Sequence, residues 1–594
     1  MLFSKLAQYF SRIEATSKRL EITAVLAELL KESSPEEIDK ICYLVLGQLA
    51  PLYEGVEFNL ASKTLIRVMA EAYGAPSAEV EKIVQEKGDL GDAAEELAKS
   101  RAKTSEVSPS TSEVYRKLRE IAETSGPGSQ ERKVRGMAEL FRSLDSLSAK
   151  YVARIPVARL RLGFSDKTIL DALSVVEAGD KSLRPVLERA YNISADIGRI
   201  ARLVRTKGVR GLQGIQVEVG VPVRMASAER LPTPVEILEK MGGKLAAEPK
   251  YDGFRVQVHL DKSRRFKEED YEQLDLIGGE KISGPWVKIF SRNLEDTTSM
   301  FPEIVGATQQ LSAESAIFEG EAIAYNPETE EFEPFQETAK RKRKYGIREK
   351  LTDLPLKVFA FDLLYLNGRD LTREPYEARR RALEKLVREP DTILVAEERV
   401  FTDAGELEKF FLEQVEHGLE GIMAKRLDGV YQAGVRNFNW VKLKRVERGQ
   451  LEDTIDGVIL GYYRGRGKRT QFGIGGFLVG LYDDQTDTFK TISRVGSGLT
   501  DEEWRELKRR VDALKVGTKP KNVAVAKEHT PDVWAEPQIV VAIRADEITR
   551  SPLHTAGGLA LRFPRLMAFR DDKTPEQATT VAEIRRLFEQ QRKP

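Results

Sequence analysis

The chain has 594 residues, and Lys plus Arg balance Asp plus Glu at 94 each. That length predicts roughly three or four domains, and the zero net charge says nothing about a nucleic-acid partner, so any basic surface must be local. A single cysteine, Cys42, excludes an internal disulfide and a cysteine-built zinc site, and the histidines His259, His417, His529 and His554 lack ligand spacing. No run of about 18 apolar residues and no signal-peptide core occur, so a soluble cytoplasmic protein is expected.

Residues 1 to about 220 read as helical. Ser34-Pro35-Glu36-Glu37 is a helix start, followed by Ile38, Ile41, Val45 and Leu49 at helical spacing. Leu65, Val68, Met69 and Ala72 give a second apolar face before Gly74. Stretches rich in Ser and Thr at 103–112 and 124–129 read as loops. Further helices are expected over 131–144, 166–176 and 182–191. Arg159-Leu160-Arg161-Leu162-Gly163-Phe164-Ser165 sets two arginines before a Ser-capped helix, which suits a phosphate. A second basic cluster holds Arg199, Arg202, Arg205, Lys207 and Arg210, and each cluster reads equally well as a solvated face. No helix-turn-helix, zinc-finger or aromatic clamp-binding motif is present.

From about 221 to 447 strand patterns alternate with helices. The central stretch is Glu248-Pro249-Lys250-Tyr251-Asp252-Gly253-Phe254-Arg255, running into Val256-Gln257-Val258-His259, which alternates like a half-buried strand. Asp252-Gly253 marks a tight turn. Lysine is a nucleophile only as the neutral amine, against a reference pKa of about 10.4, so an attacking lysine must be placed and tuned by its neighbours. An unusual charged segment spans 261–288. Val287-Lys288-Ile289-Phe290 reads as a strand before Arg292, and Phe318-Glu319-Gly320-Glu321 as a strand with two carboxylates around a glycine. The run Lys340-Arg341-Lys342-Arg343-Lys344 suits a phosphate path or plain surface. The apolar run 357–366 contains Phe361. Glu420 precedes a strand start, Arg436 follows, and Lys442 and Lys444 alternate onto one strand face.

Residues 448–594 read as β-rich, with many Gly turns, one helix over 501–511 and a small closed barrel expected. Gly465-Arg466-Gly467-Lys468-Arg469-Thr470 fails as a P-loop, because the first glycine is missing and Arg469 replaces Ser or Thr. Gly473-Ile474-Gly475-Gly476 lacks a surrounding βαβ unit and fails as a dinucleotide fingerprint. Arg562-Phe563-Pro564-Arg565 and Lys573 precede a C-terminal helix expected from Thr574-Pro575-Glu576, carrying Ile584, Leu587 and Phe588.

One candidate nucleophile, several carboxylates on separate strands and several cations form the inventory that nucleotidyl transfer needs. In order and spacing these residues resemble the motifs of the covalent nucleotidyltransferases: DNA ligases, RNA ligases and mRNA capping enzymes. The whole chain is similar to the ATP-dependent DNA ligases of the archaeal and eukaryotic replicative type. Residues 341–347 and Gly558-Leu559-Ala560-Leu561-Arg562-Phe563-Pro564 resemble phrases of that subfamily. The 261–288 connection is longer than the family pattern, which puts the local hairpin there in doubt.

The resemblance implies an all-α N-terminal DNA-binding domain over 1–222, an α+β adenylation (nucleotidyltransferase) domain over 223–447 and a C-terminal OB-fold β-barrel over 448–594. It implies that Lys250 becomes linked to AMP. Glu248 matches the residue near the adenine amino group, Arg255 and Glu321 the ribose contacts, Arg292 a nearby arginine, and Phe361 the stacking aromatic. Arg436, Lys442 and Lys444 match cations on the α-phosphate, Arg562 and Arg565 the arginines that orient pyrophosphate, and Glu319 and Glu420 metal carboxylates. ATP as AMP donor, Mg²⁺ or Mn²⁺, nicked duplex DNA, a sliding clamp as candidate partner, a monomeric state and no membrane follow as expectations. An RNA ligase, a capping-type enzyme and a non-catalytic DNA-clamping protein are the alternatives.

Overall fold

The computed structural model describes residues 1–100, 108–157, 160–266, 284–326, 331–332, 355–388, 391–416, 419–444, 451–465, 472–496, 498–545, 547–551, 553–562 and 564–591. Arg159, most of the 261–288 segment, the 340–347 basic run, His417, most of the rejected P-loop stretch and Phe563 lie outside the described residues. The chain divides into two compact units: Met1–Tyr191 with Asp196–Gly214 and Arg448–Pro594, and Asn192–Ala195 with Ile215–Glu447. Among the described residues no helix is long and apolar enough to cross a membrane.

The first unit joins a helical stretch to a β-rich one. Its helices follow amphipathic patterning. Thr111–Glu123 opens on a capping box made by Ser110 and Glu113 and buries Val114, Leu118 and Ile121. The expected helices are present as Ser129–Arg142, Asp166–Ala178 and Arg184–Ser194. The Ser34-Pro35 start is displaced: a turn intervenes and the helix is Ile38–Val45, with Ser34 N–H donating to Glu37 at 3.1 Å.

In the β-rich stretch, the strand Leu451–Tyr463 pairs antiparallel with Gly476–Asp483, Val533–Ala535 and Val540–Ala545. The helix Asp501–Asp512, capped by Thr500, buries Trp504, Leu507 and Val511 against this sheet. The main hydrogen-bonded path of the sheet runs open from Lys515–Val516 to Val523–Ala524, so the closed ring expected from the sequence is not drawn by the described strands. The C-terminal helix begins later than its Thr-Pro signal, at Val581, because Pro575–Gln577 forms a separate 3₁₀ turn.

The second unit holds two sheets. Its strands are β1 (Ser227–Arg230), β2 (Leu245–Pro249), β3 (Phe254–Arg265), β4 (Pro285–Ser291), β5 (Ser315–Asn326) and β6 (Glu331–Phe332). They continue as β7 (Leu356–Leu366), β8 (Arg369–Asp370), β9 (Ile393–Val395), β10 (Arg399–Phe401), β11 (Gly421–Lys425) and β12 (Arg436–Lys444). One sheet has the order β1-β12-β11-β2-β10, the other β4-β3-β5-β7-β8 with β6 on β5 and β9 on β7.

Each sheet buries one face against its own helices. Leu245, Ala247, Ile422, Ala424, Val441 and Leu443 pack with Ile237, Leu407 and Phe410. Val256, Val258, Phe318, Val358 and Ala360 pack with Ile304, Val305 and Leu383. Strand residues alternate between faces, so the intervening residues of both sheets turn away from these cores.

Candidate active site

The chain passes from the first sheet to the second through Lys250-Tyr251-Asp252-Gly253, between the end of β2 and the start of β3. Gly253 is required there by close approach rather than by unusual backbone angles. A Cβ at this position would stand 2.4 Å from the carbonyl oxygen of Ala322 on β5. Gly320 works similarly: its Cβ would meet Val358 Cγ1 at 2.6 Å, so glycine lets β5 and β7 close up between Glu319 and Glu321.

The alternation selects the site. On the first sheet Glu248, Met423, Lys425, Trp440, Lys442 and Lys444 oppose the helix-covered side. Lys442 stands opposite Met423, and Met423 opposite Glu248. On the second sheet Arg255, Gln257, Glu319, Glu321 and Phe359 face the same way, with Arg255 opposite Glu321 and Glu321 opposite Phe359. Ile317, Leu364, Tyr431 and Trp440, with Phe361 and Met423 against them, fill the base of the cleft between the sheets.

Lys250 is held at its backbone by donation to the Gly421 carbonyl at 2.9 Å. Its Nζ pairs with Glu420 Oε2, and Lys444 Nζ lies 2.9 Å from the same oxygen. Burial alone would raise the Glu420 carboxyl, but Lys250 and Lys444 hold it well below the usual carboxylate range. Burial pushes the Glu321 carboxyl up to about 7, against the pull of Lys250 and Arg255 and with a further push from Asp252. Its Oε1 accepts from the Gly253 N–H at 3.2 Å.

Arg255 lies against two rings, 5.4 Å from the Phe361 centroid and 5.2 Å from that of Trp440. It donates to Glu319 at 2.7 Å and to the Ala226 carbonyl at 2.6 Å. Glu319 is fully buried and also accepts from Gln257 and Tyr431, each at 3.0 Å. Its oxygens are turned to the fold, which does not suit an open, hydrated metal position. The pairing of Glu319 with Glu420 as metal ligands therefore does not fit this geometry. The sequence could not separate Glu319 from Glu321, because residues two apart share a strand face.

Arg292 directly follows β4, and Arg436 opens β12 opposite Ser227. Arg562 and Arg565 belong to the other unit, where both are exposed and Arg562 Nε lies 3.3 Å from Glu547. The Arg161 expected at a phosphate is engaged instead with Asp89 at 2.9 Å and Glu536 at 3.5 Å. In the second basic cluster Arg202 pairs with Asp39 at 3.3 Å and Arg205 donates to the Lys31 carbonyl.

Sequence reading assigned no role to Lys425, Tyr376 or Arg380, yet all three touch Glu248. Lys425 ends the strand begun at Gly421, and its position directly before Arg426-Leu427-Asp428 carried no distinguishing signal. Arg380 sits within Arg379-Arg380-Arg381 on an amphipathic helix and reads as a solvated face.

Sequence models of three protein families match this chain: "DNA ligase N terminus" over residues 2–174, "ATP dependent DNA ligase domain" over 281–444 and "ATP dependent DNA ligase C terminal region" over 470–573. The chain is 49% identical over 601 residues to a probable DNA ligase of Dictyoglomus turgidum, covering 100% of this chain and 98% of that one. It is 48% identical to the probable DNA ligase of Dictyoglomus thermophilum with the same coverage. It is 41% identical over 612 residues to DNA ligase 2 of Thermofilum pendens, again with 100% and 98% covered.

Proposed function

Because the chain belongs to the ATP-dependent DNA ligase family, we propose that Lys250 is the residue through which this ligase carries AMP. The family has a three-domain architecture, helical at the N-terminus and β-rich at the C-terminus. The neutral Lys250 amine attacks the α-phosphorus of ATP and pyrophosphate leaves. The AMP then passes to the 5′-phosphate at a nick in duplex DNA. The 3′-hydroxyl attacks that phosphate and releases AMP, closing the phosphodiester.

The observation that carries this reading is the convergence of Lys250, Glu420 and Lys444 at one edge of the cleft whose other wall carries Arg255 and Glu321. Phe361 is assigned to stacking on the adenine, Glu248 to its amino edge, and Arg255 and Glu321 to the ribose. Lys442, Lys444 and Arg436 neutralise charge around the α-phosphate, and Arg292 is assigned a place beside the ribose contacts. Arg562 and Arg565 are assigned to the pyrophosphate of the first step.

Mg²⁺ takes oxygen ligands and keeps several waters, so Glu420 together with phosphate oxygens is a sufficient donor set, and Mn²⁺ fits the same set. The metal supplies charge neutralisation on the phosphates. We assign 448–594 to an OB fold, 1–222 to DNA backbone binding and 223–447 to adenylation, acting as a monomer on nicked duplex DNA without base readout. Incubation with α-labelled ATP and Mg²⁺ tests the assignment. A labelled adduct is expected for the native chain and none for Lys250→Ala, which retains DNA binding. An adduct on the alanine variant would overturn it.

A further inference from the structure

We propose that Arg380 and Tyr376 are positioning residues that hold Glu248 as an ionised acceptor and so set the preference for an amino over an oxo group at the 6-position of the purine. The proposal rests on the assignment of Glu248 to the base edge. Adenine presents an N6 amino donor there and guanine an O6 acceptor. A carboxylate welcomes the first and opposes the second. A protonated carboxyl, which can donate, loses that discrimination.

Glu248 is 2% exposed. Its Oε2 takes one donor, Lys425 Nζ at 2.7 Å. Its Oε1 takes two, the Tyr376 hydroxyl at 2.7 Å and Arg380 Nη1 at 3.3 Å. A carboxylate offers about four acceptor positions; among the described residues Lys425 is the one donor on Oε2, so an acceptor position on that oxygen is left for a ligand. The pocket thus orients the carboxylate and leaves one acceptor over.

The same hydroxyl faces a second carboxylate. Tyr376 OH also bonds Glu398, and Arg380 lies 3.9 Å from Glu398 Oε2. One hydroxyl proton cannot serve two carboxylates at once, so the pair needs a cation or a second proton to coexist. Arg380 is that cation. It is buried and fixed by Glu384 at 2.8 Å and the Ala396 carbonyl at 2.6 Å.

Burial raises the Glu248 carboxyl above its ordinary value, and Lys425 and Arg380 limit that rise without cancelling it. The charged and titratable groups on the elements packed against it are Lys425 on β11, Tyr376 and Arg380 on the helix Tyr376–Leu386, Glu398 before β10 and Tyr251 after β2. With Arg380 removed, Lys425 alone faces two carboxylates that share one hydroxyl. A proton is then taken up, and Glu248 becomes a donor in part of the molecules.

The test is single-turnover self-labelling of the full chain with α-labelled ATP or GTP, between pH 6 and 8.5. Arg380→Met is expected to lower the ratio of ATP to GTP labelling efficiency by about tenfold, the scale of one net hydrogen bond, with the loss greatest at low pH. Arg380→Lys restores part of it. Arg380→Met with Glu398→Gln removes the competing charge and restores the ratio, which a merely unfolded variant could not do. An unchanged, pH-independent ratio in Arg380→Met overturns the inference. Glu248→Gln separates the two readings. If it leaves the ratio untouched, Glu248 does not face the base and the assignment beneath falls. If it shifts the ratio while Arg380→Met does not, only the present inference falls.

Discussion

Lys250 and Lys444 share one oxygen, Oε2 of Glu420. Two ammonium groups held by a single carboxylate form a compact site for a phosphoryl group, because an arriving anion finds both cations already gathered. Lys444→Met should slow labelling from ATP by about a hundredfold, the scale set by loss of one preorganised charge. Single-turnover formation of the adduct measures it, and an unchanged rate would remove Lys444 from the α-phosphate.

Glu420→Gln deprives both lysines of their shared counter-charge and removes the carboxylate proposed to hold Mg²⁺. Labelling should fall by about 10²-fold or more, and the half-saturating Mg²⁺ concentration should rise. Titrating Mg²⁺ in the labelling assay checks this. A rate loss at unchanged Mg²⁺ dependence would confine Glu420 to an electrostatic role.

The Arg255–Glu319 pair is buried, so losing one partner strands the other charge. Glu319→Gln should cost about 3–5 kcal/mol of stability, read as a lower urea midpoint. The Mg²⁺ dependence of labelling by the folded variant should stay at its native value, since Glu319 faces the fold. A shifted Mg²⁺ requirement would return Glu319 to the metal.

Glu321 gives a pH signature. Its carboxyl is raised by burial from the ordinary 4.5 to about 7, so the folded chain holds this proton more tightly than the unfolded chain. The resulting stabilisation is full below 4.5 and is lost as pH rises through about 7. The urea midpoint of the native chain relative to Glu321→Gln should therefore fall between those values and level off above. A difference independent of pH would show that the carboxyl titrates normally.

Within the first unit, Asp487 pairs with Arg19 and accepts from Ser165 at 3.0 Å, while Arg161 reaches Glu536 at 3.5 Å. These contacts fasten the β-rich stretch to the helical one. Asp487→Ala with Glu536→Ala should speed release of a C-terminal fragment by trypsin about fivefold, matching partly exposed ion pairs of modest strength. Equal cleavage rates would show that packing alone holds the two stretches.

Much of this was legible in the chain. Lys250 stood out because its Lys-x-Asp-Gly-x-Arg stretch is followed, in order, by carboxylates and cations on separate downstream strands. Arg255, Glu321, Lys442 and Lys444 could be placed on strands, and period-2 alternation put the last two on one face. The close approach that requires Gly253 was not legible, since the Ala322 carbonyl that excludes a Cβ comes from another strand. Arg161 looked available for phosphate, and its partners Asp89 and Glu536 lie far away in sequence.

The sequence by itself determined the ordered motifs, the candidate nucleophile, the helical and β-rich character of the two ends and, through the motifs, the family. Only the tertiary structure decided that Glu319 is spent on Arg255, Gln257 and Tyr431, and that Arg380 and Tyr376 grip Glu248. The reason is physical: a side chain's type and strand phase are written locally, whereas its partners are fixed by which strands and helices meet. A carboxylate's role follows from how many of its oxygens those partners leave over.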